Sequence, residues 1–327
     1  MKWINIFIIT SFVFTNLFAD GIKKYAGEFL HLGVGGRALA LGGAYVSVVN
    51  DVTAGYWNPA GLVEAKNFQI QFMHARLFLS SIQYDYIGIS NHIKSGAALA
   101  LSIMRLGVDD IKDSRNAGEY DQNGDLNLDY SKIVKFNTAD YVFILSYARG
   151  ITDKLSYGAN VKLIYRDYYI ESAHGIGFDL GAIYRFSPSL RVGLMLRDVT
   201  TTMMAWSTSN KEFVSPSVRP GISYQYNFNS IDLYIQPSFD FVIMGESRDN
   251  SSQLYLGGPL SIDTFWGLEI AFKHTAFLRF GYDDLERFCT GVGLHLHKFG
   301  VDYSYSNYNS ELGDVHRIAF HLRLNSI

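Results

Sequence analysis

From residue 67 to the end, the chain follows a period of two. Phe68, Ile70 and Phe72 alternate with Gln69 and Gln71. Leu155, Tyr157, Ala159, Val161, Leu163 and Tyr165 alternate with Ser156, Gly158, Asn160, Lys162, Ile164 and Arg166. The same rhythm runs through 176–185, 190–197, 231–241, 299–306 and 317–324. Successive side chains of a strand point to opposite faces, so each segment has one apolar face and one polar, small or charged face. The pattern predicts fourteen strands: 67–75, 82–91, 96–105, 140–149, 155–166, 174–186, 190–199, 217–227, 231–241, 261–272, 275–283, 288–297, 299–306 and 315–324.

A soluble sandwich shows the same alternation. Three features favour a transmembrane antiparallel β-barrel. The strands approach the length of roughly 9–11 residues that a tilted strand needs to cross a bilayer. Tyrosines gather at strand ends (Tyr84, Tyr86, Tyr147, Tyr165, Tyr184, Tyr224, Tyr226), as an interfacial girdle requires. Connections alternate in length: tight turns at 92–95, 150–154, 187–189, 227–230, 273–275 and 297–298, longer loops at 106–139, 167–173, 200–216, 242–260, 283–287 and 307–314. Hydrocarbon tolerates no unpaired sheet edge, so the sheet closes. The apolar face turns to lipid. Lys162, Arg166, Asp179, Arg185, Arg191, Arg197, Asp232, Asp240, Glu269, Lys273, Arg279, His295, Asp302, His321 and Arg323 then line the lumen, where both charge signs allow ion pairing.

The N-terminus is of another kind. Residues 1–19 have a basic start at Lys2, an apolar core and Ala19 before polar Asp20, the pattern of a signal peptide. Residues 20–66 carry Leu30, Leu32, Val34, Leu39, Leu41, Tyr45, Val46, Trp57 and Leu62 among many glycines. Such a stretch is too apolar to trail in water. A barrel of fourteen strands is wider than its own side chains fill, since about eight already give a filled one. Residues 20–66 are therefore expected as a plug in the lumen, and 67–327 as the barrel. Arg37, set among small residues, is expected to pair with a lumen carboxylate. Asn58-Pro59 reads either as a turn or as a hinge of the plug, which makes Arg37, Trp57, Asn58, Pro59 and Gly61 the gating candidates. Pro237 falls in mid-strand, where it removes a ladder hydrogen bond, and is the candidate for a wall defect.

The residues also match a family. Ala26-Gly27-Glu28-Phe29-Leu30, Gly33-Val34-Gly35-Gly36-Arg37-Ala38-Leu39, Leu41-Gly42-Gly43-Ala44-Tyr45-Val46 and Tyr56-Trp57-Asn58-Pro59-Ala60-Gly61-Leu62 together resemble the N-terminal signature of the PorV/PorQ proteins, outer-membrane relatives of the FadL transporters. Phe299-Gly300-Val301-Asp302-Tyr303-Ser304-Tyr305 and Leu312-Gly313-Asp314-Val315-His316-Arg317-Ile318 resemble that family's last two strands. The resemblance implies a 14-stranded barrel with an N-terminal hatch that includes the Asn-Pro-Ala element. It implies either a role in type IX secretion, docking exported proteins as PorV-type members do, or FadL-like passage of small hydrophobic compounds. One departure is the end of the chain: Leu324 is followed by Asn325-Ser326-Ile327 rather than by a terminal aromatic.

Composition adds little beyond exclusions. Aromatic residues make up 15% of the 327, with 22 Tyr and 23 Phe, which suits rings that are apolar at one end and wet at the other. A net charge of −3 gives no reason to expect nucleic acid. Cys289 is the single cysteine, so no internal disulfide forms. Gly33-Val34-Gly35-Gly36 fails the G-x-G-x-x-G spacing, because position 38 is Ala. Asp121, Asn123, Asp125, Asn127 and Asp129 offer oxygens at alternate positions of the longest loop, but the EF-hand positions for Gly and Glu hold Leu126 and Lys132, so calcium is a weak candidate and a solvated loop the stronger one. His295, His297, His316 and His321 lie near the C-terminus, yet no G-x-S-x-G accompanies them. No enzyme activity, no cofactor and no metal is expected. The expected location is the Gram-negative outer membrane, with lipid as the constant neighbour. Three functions stay open: a secretion-associated docking barrel, a channel for small hydrophobic molecules, and a closed structural barrel.

Overall fold

The computed structural model describes residues 27–65, 67–93, 96–120, 123, 125–245, 253–255, 260–307 and 313–324. The expected signal peptide, 1–19, lies outside them. The chain is nearly all β. In order, the strands are β1 (Phe68–Leu77), β2 (Ile82–Ile93), β3 (Ala97–Asp113), β4 (Gly118–Tyr120), β5 (Leu126–Leu128), β6 (Val134–Gly150), β7 (Leu155–Tyr168), β8 (Glu171–Arg185), β9 (Leu190–Arg197) and β10 (Thr202–Trp206). They continue with β11 (Lys211–Val214), β12 (Ser217–Tyr224), β13 (Tyr226–Phe228), β14 (Leu233–Met244), β15 (Leu254–Tyr255), β16 (Ser261–Phe272), β17 (Ala276–Tyr282), β18 (Phe288–His295), β19 (Phe299–Ser306) and β20 (Val315–Leu324).

Eighteen of these segments form one sheet, and β20 pairs antiparallel with β1, which closes it. β10 continues the line of β9, β11 and β13 lie on the line of β12, and β15 only pairs with the end of β16 beyond β17, so the closed barrel has fourteen staves. Every pairing is between antiparallel neighbours. No helix among the described residues is long and apolar enough to cross a membrane, which has no bearing on crossing by strands.

The barrel is inside-out relative to a water-soluble fold. Leu145 is 56% exposed and Leu163 52%, while their chain neighbours Ile144 and Ile164 are 2% and 3% exposed. The outward apolar face is what a lipid-facing surface needs. Outward aromatics gather at both ends of the staves. Tyr141 stacks on Tyr165 at one end, and Tyr224 lies 4.4 Å from Tyr226 at the other.

Three expectations about loops change. β3 and β6 run on to Asp113 and Val134, so the loop expected at 106–139 is mostly a long hairpin. Outside lipid the apolar face has nothing to select for, and the period fades while backbone pairing continues. A register shift between Val108 and Ile111 marks the change, with Asp110 at φ 60 donating its N–H to Asn137 Oδ1. The loop expected at 200–216 likewise contains β10 and β11. Asp232 and Lys273, expected in the lumen, are exposed turn residues with φ near 51 and 52; the Lys273 N–H donates to the Asp232 carbonyl at 2.7 Å. A left-handed turn position, rather than the strand period, decides where they point.

The wall bulges between β9 and β10, where the Val199 N–H still donates to the Phe178 carbonyl at 2.9 Å. Between Leu196 and Met203 the seventh stave takes seven steps while β8 takes four, from Leu180 to Ile176. Asp198 and Thr201 have left-handed φ of 55 and 61 there. At Pro237 the side chain is exposed and β14 keeps one register with β16 through Pro237↔Leu268, but on the other side the ladder stops at Ser223↔Ser238 and resumes at Tyr226↔Ile235.

Candidate functional site

The site is the contact between residues 27–65 and the inner face of the staves. The segment is short helices joined by turns: a 3-10 helix at Glu28–His31, one helical turn at Gly36–Ala40, another at Ala54–Trp57, and a 3-10 helix at Pro59–Val63. Glycine and small residues prevent long helices, and Asn58 ends one turn and starts the next. Its backbone is extended, its Oδ1 accepts from the Ala60 N–H at 3.2 Å, and Pro59 occupies the first helical position, where no N–H is needed.

Arg37 finds the expected carboxylate. Its Nε donates to Glu269 Oε2 at 2.8 Å and its Nη2 to Oε1 at 2.9 Å, a two-pronged pair, while Nη1 donates to Asn50 Oδ1 at 2.7 Å. Glu269 also accepts from Arg279 Nε at 2.7 Å and from the Tyr234 hydroxyl at 2.8 Å. Arg279 Nη1 reaches Asp302 at 2.6 Å. A ladder of alternating charge thus runs from the inner segment across β16, β17 and β19. Each ion has its counter-ion, which is the condition for burying them.

Asp240 is a second tether. Its Oδ2 accepts from the backbone N–H of Tyr45 at 2.9 Å and of Val46 at 3.0 Å, and it pairs with Arg219 Nε at 3.1 Å. Arg219 Nη2 donates to the Gly43 carbonyl at 2.6 Å. On the opposite wall, Asn58 Nδ2 donates to the carbonyls of Val46 at 3.0 Å and Ala182 at 3.1 Å, and Asn160 Nδ2 to the Gly55 carbonyl at 2.8 Å. Trp57 Nε1 donates to the Val34 carbonyl at 2.8 Å, and its ring meets Tyr45 and Tyr56 edge-on. Near the short-turn end, Glu64 holds Arg191 at 2.8 Å and Arg185 at 3.2 Å.

Of the gating candidates, Arg37, Trp57, Asn58, Pro59 and Gly61 all belong to this contact; Asn58 is fully buried and Trp57 3% exposed. Sequence reading missed their partners Glu269, Asp240 and Asn160 as a set, though all three sit on inward positions of the two-residue period. Replacing Asn58 by Ala removes the cap and two carbonyl contacts. The expected loss is about 1–3 kcal/mol, read as a lower midpoint for heat-induced unfolding on a cold-loaded gel.

Between the segment and the outer loops lies a chamber of about 80 Å³. Trp57, Leu39, Phe265 and Val242 face it beside Arg197, Arg219, Asp263, Asp283, Asp284 and Arg287. Arg219 lies 4.1 Å over the Phe265 ring and 5.2 Å over Trp57. In the 283–287 turn, burial and then the neighbouring carboxylates Asp283 and Asp263 push the Asp284 carboxyl up to about 6 from its usual 3.8. A raised acid destabilises the fold once ionised: its cost is absent below the ordinary value and grows as pH rises toward 6. Asp284→Asn is therefore expected to leave stability unchanged at pH 3.5 and to raise it at pH 7.5, measured by denaturant unfolding in detergent.

The described calcium candidates lie in or beside the β4–β5 hairpin. Asp121 lies outside the described residues. Asn127 is in β5 opposite Glu119, and Asp129 Oδ1 accepts from the Ser131 N–H at 3.0 Å and Oγ at 2.6 Å, capping the turn that follows. Among the described residues, the group of His, Cys, Asp or Glu side chains close enough to share an ion is His295, Asp302 and His321.

No family model matches the sequence, and no curated protein matches it. Solved structures do share its fold. The toluene transporter TodX of P. putida has a TM-score of 0.57 at 12% identity, covering 90% of this chain and 99% of its own. The toluene transporter TbuX of Ralstonia pickettii has 0.54 at 15%, with the same coverage, and the monoaromatic hydrocarbon channel CymD 0.51 at 12%, covering 90% and 98%. The likeness is in fold. Neither sequence comparison supports the resemblance of the chain's two ends to PorV/PorQ proteins.

Proposed function

We propose that this chain is an outer-membrane channel for small hydrophobic compounds, closed by residues 27–65 acting as a plug. The observation that carries the reading is the double tether of that segment, at Arg37–Glu269 and at Asp240, inside a barrel with the fold of hydrocarbon channels. The apolar outward face and the two aromatic girdles support a membrane position.

The chamber argues for a moving plug. Roughly 150 Å³ is the size of a cavity that admits benzene, and about 80 Å³ is present. An aromatic ring enters only if side chains of the plug, Trp57 and Leu39 first among them, give way. The bulge at 198–201 offers a side route through the wall, next to the plug residues Leu30 and Tyr56. It stands beside Pro237, where the ladder with β12 and β13 lapses, as a place to look for a wall defect.

The test is uptake. Vesicles carrying the purified protein should take up radiolabelled toluene faster than empty vesicles and show no gain for a disaccharide. Equal toluene rates with and without protein would sink the channel reading. An exported protein that co-purifies in detergent, with no gain in toluene uptake, would favour docking instead.

A further inference from the structure

We propose that His295, Asp302 and His321 form a binding site for a divalent transition-metal ion of the zinc class. The three donors come from β18, β19 and β20, adjacent staves at the short-turn end of the barrel, and lie within 4.8 Å of one another. His295 Nε2 is 3.0 Å from Asp302 Oδ1, and His321 Nδ1 is 3.5 Å from Asp302 Oδ2. Two imidazoles and one carboxylate, with a position left for solvent, form the donor set that zinc and similar borderline ions take. The donors span up to 4.8 Å, so they must close by about 1 Å at the widest pair to reach the roughly 3.4 Å spacing of a tetrahedral site with bonds of roughly 2.0–2.2 Å.

Two further observations point to an occupant. His321 is nine-tenths buried, yet its Nε2 has no hydrogen-bond partner and its Nδ1 has only the long contact to Asp302. A buried imidazole held this weakly costs free energy unless something binds it more strongly. An ion between Nδ1, Asp302 Oδ2 and His295 Nε2 replaces the long Nδ1 contact; Nε2, on the far side of the ring, faces Gly300 and takes no part in the site. The wall is also cut away at this spot: a Cβ at Gly300 would stand 1.5 Å from His321 Nε2, so only glycine there leaves the ring its place.

Arg279 is the objection to be met, since it puts a positive charge 2.6 Å from Asp302 Oδ1. That charge is already shared with Glu269 at 2.7 Å. Its hold on Oδ1 turns Oδ2 toward His321, the part that an outer partner plays for a ligating carboxylate. An ion here fastens the three staves next to the closing pair β20–β1.

The experiment uses the full barrel, purified in detergent without a histidine tag and stripped with chelator. Titration with Zn²⁺ should show one saturable equivalent per chain, and X-ray absorption of the loaded wild type should count two imidazoles. His295→Gln and His321→Asn should each weaken binding at least tenfold, while His74→Asn, at a half-buried ring that pairs with Asp85 outside the cluster, should not. Failure of the wild type to take up one equivalent, a count of fewer than two imidazoles, or unchanged binding in both variants would each overturn the site. If either variant fails to fold, the absorption count on the wild type still decides.

Discussion

Arg37→Ala is expected to open the barrel without unfolding it. In planar bilayers the variant should conduct several-fold more than the parent, and residues 27–65 should become accessible to protease from the side of the short turns. The reason lies in how Glu269 is shared. Removing Arg37 deletes a two-pronged, charge-assisted pair and the bond to Asn50. Breaking a buried pair of this kind costs about 3–5 kcal/mol when the remaining charge is stranded. Here it is not stranded, because Arg279 and Tyr234 still serve Glu269. The wall stays satisfied and the loss falls on residues 27–65. Arg37→Lys should be intermediate, since an ammonium cannot span both oxygens as the guanidinium fork does. Unchanged conductance in Arg37→Ala would count against the plug as a gate.

Gly281→Ala is expected to act on the same contact from the wall side. A Cβ built there stands 2.1 Å from Gly42 N and 2.2 Å from Leu41 C. Both are backbone atoms, so no side-chain rotation relieves the clash. Gly42 itself is left-handed at φ 62 and faces the Tyr282 backbone. Two backbones touch here with nothing between them. The ladder pairs of Gly281 with Gly267 and Cys289 need no change, so the barrel should persist while residues 41–43 are pushed off it. Overpacking typically costs about 1–3 kcal/mol, and a backbone clash belongs at the upper end. The readout is conductance together with protease access, against Gly150→Ala, where the nearest atom to the added Cβ is 3.6 Å away. Equal behaviour of the two variants would mean that the plug can shift at no cost.

These two changes test the plug from both partners. Asp240→Asn is a gentler third: the amide keeps one acceptor for the Tyr45 and Val46 N–H groups but leaves Arg219 with no carboxylate at 3.1 Å. A smaller rise in conductance than in Arg37→Ala is expected.

Much of this molecule is local, and the local part was legible. A lipid-facing stave repeats every two residues because its neighbours on either face differ, so Leu163 and Lys162 declare their sides without any knowledge of partners. Arg37, lone among glycine and alanine, announces that a carboxylate must come to it. What the chain could not declare is which one, because Glu269 lies 232 residues on and meets Arg37 only through the stagger of the staves. The same stagger makes His295, Asp302 and His321 a cluster: their spacing along the chain is irregular, and the register of β18, β19 and β20 alone brings them together. The bulge at 198–201 was equally hidden, since Asp198 and Thr201 are ordinary strand-end residues until the fixed registers on either side force extra chain into the wall. Period and side-chain character settle which way each residue faces, because those depend on near neighbours; shear and closure settle whom it meets, because those depend on the whole ring.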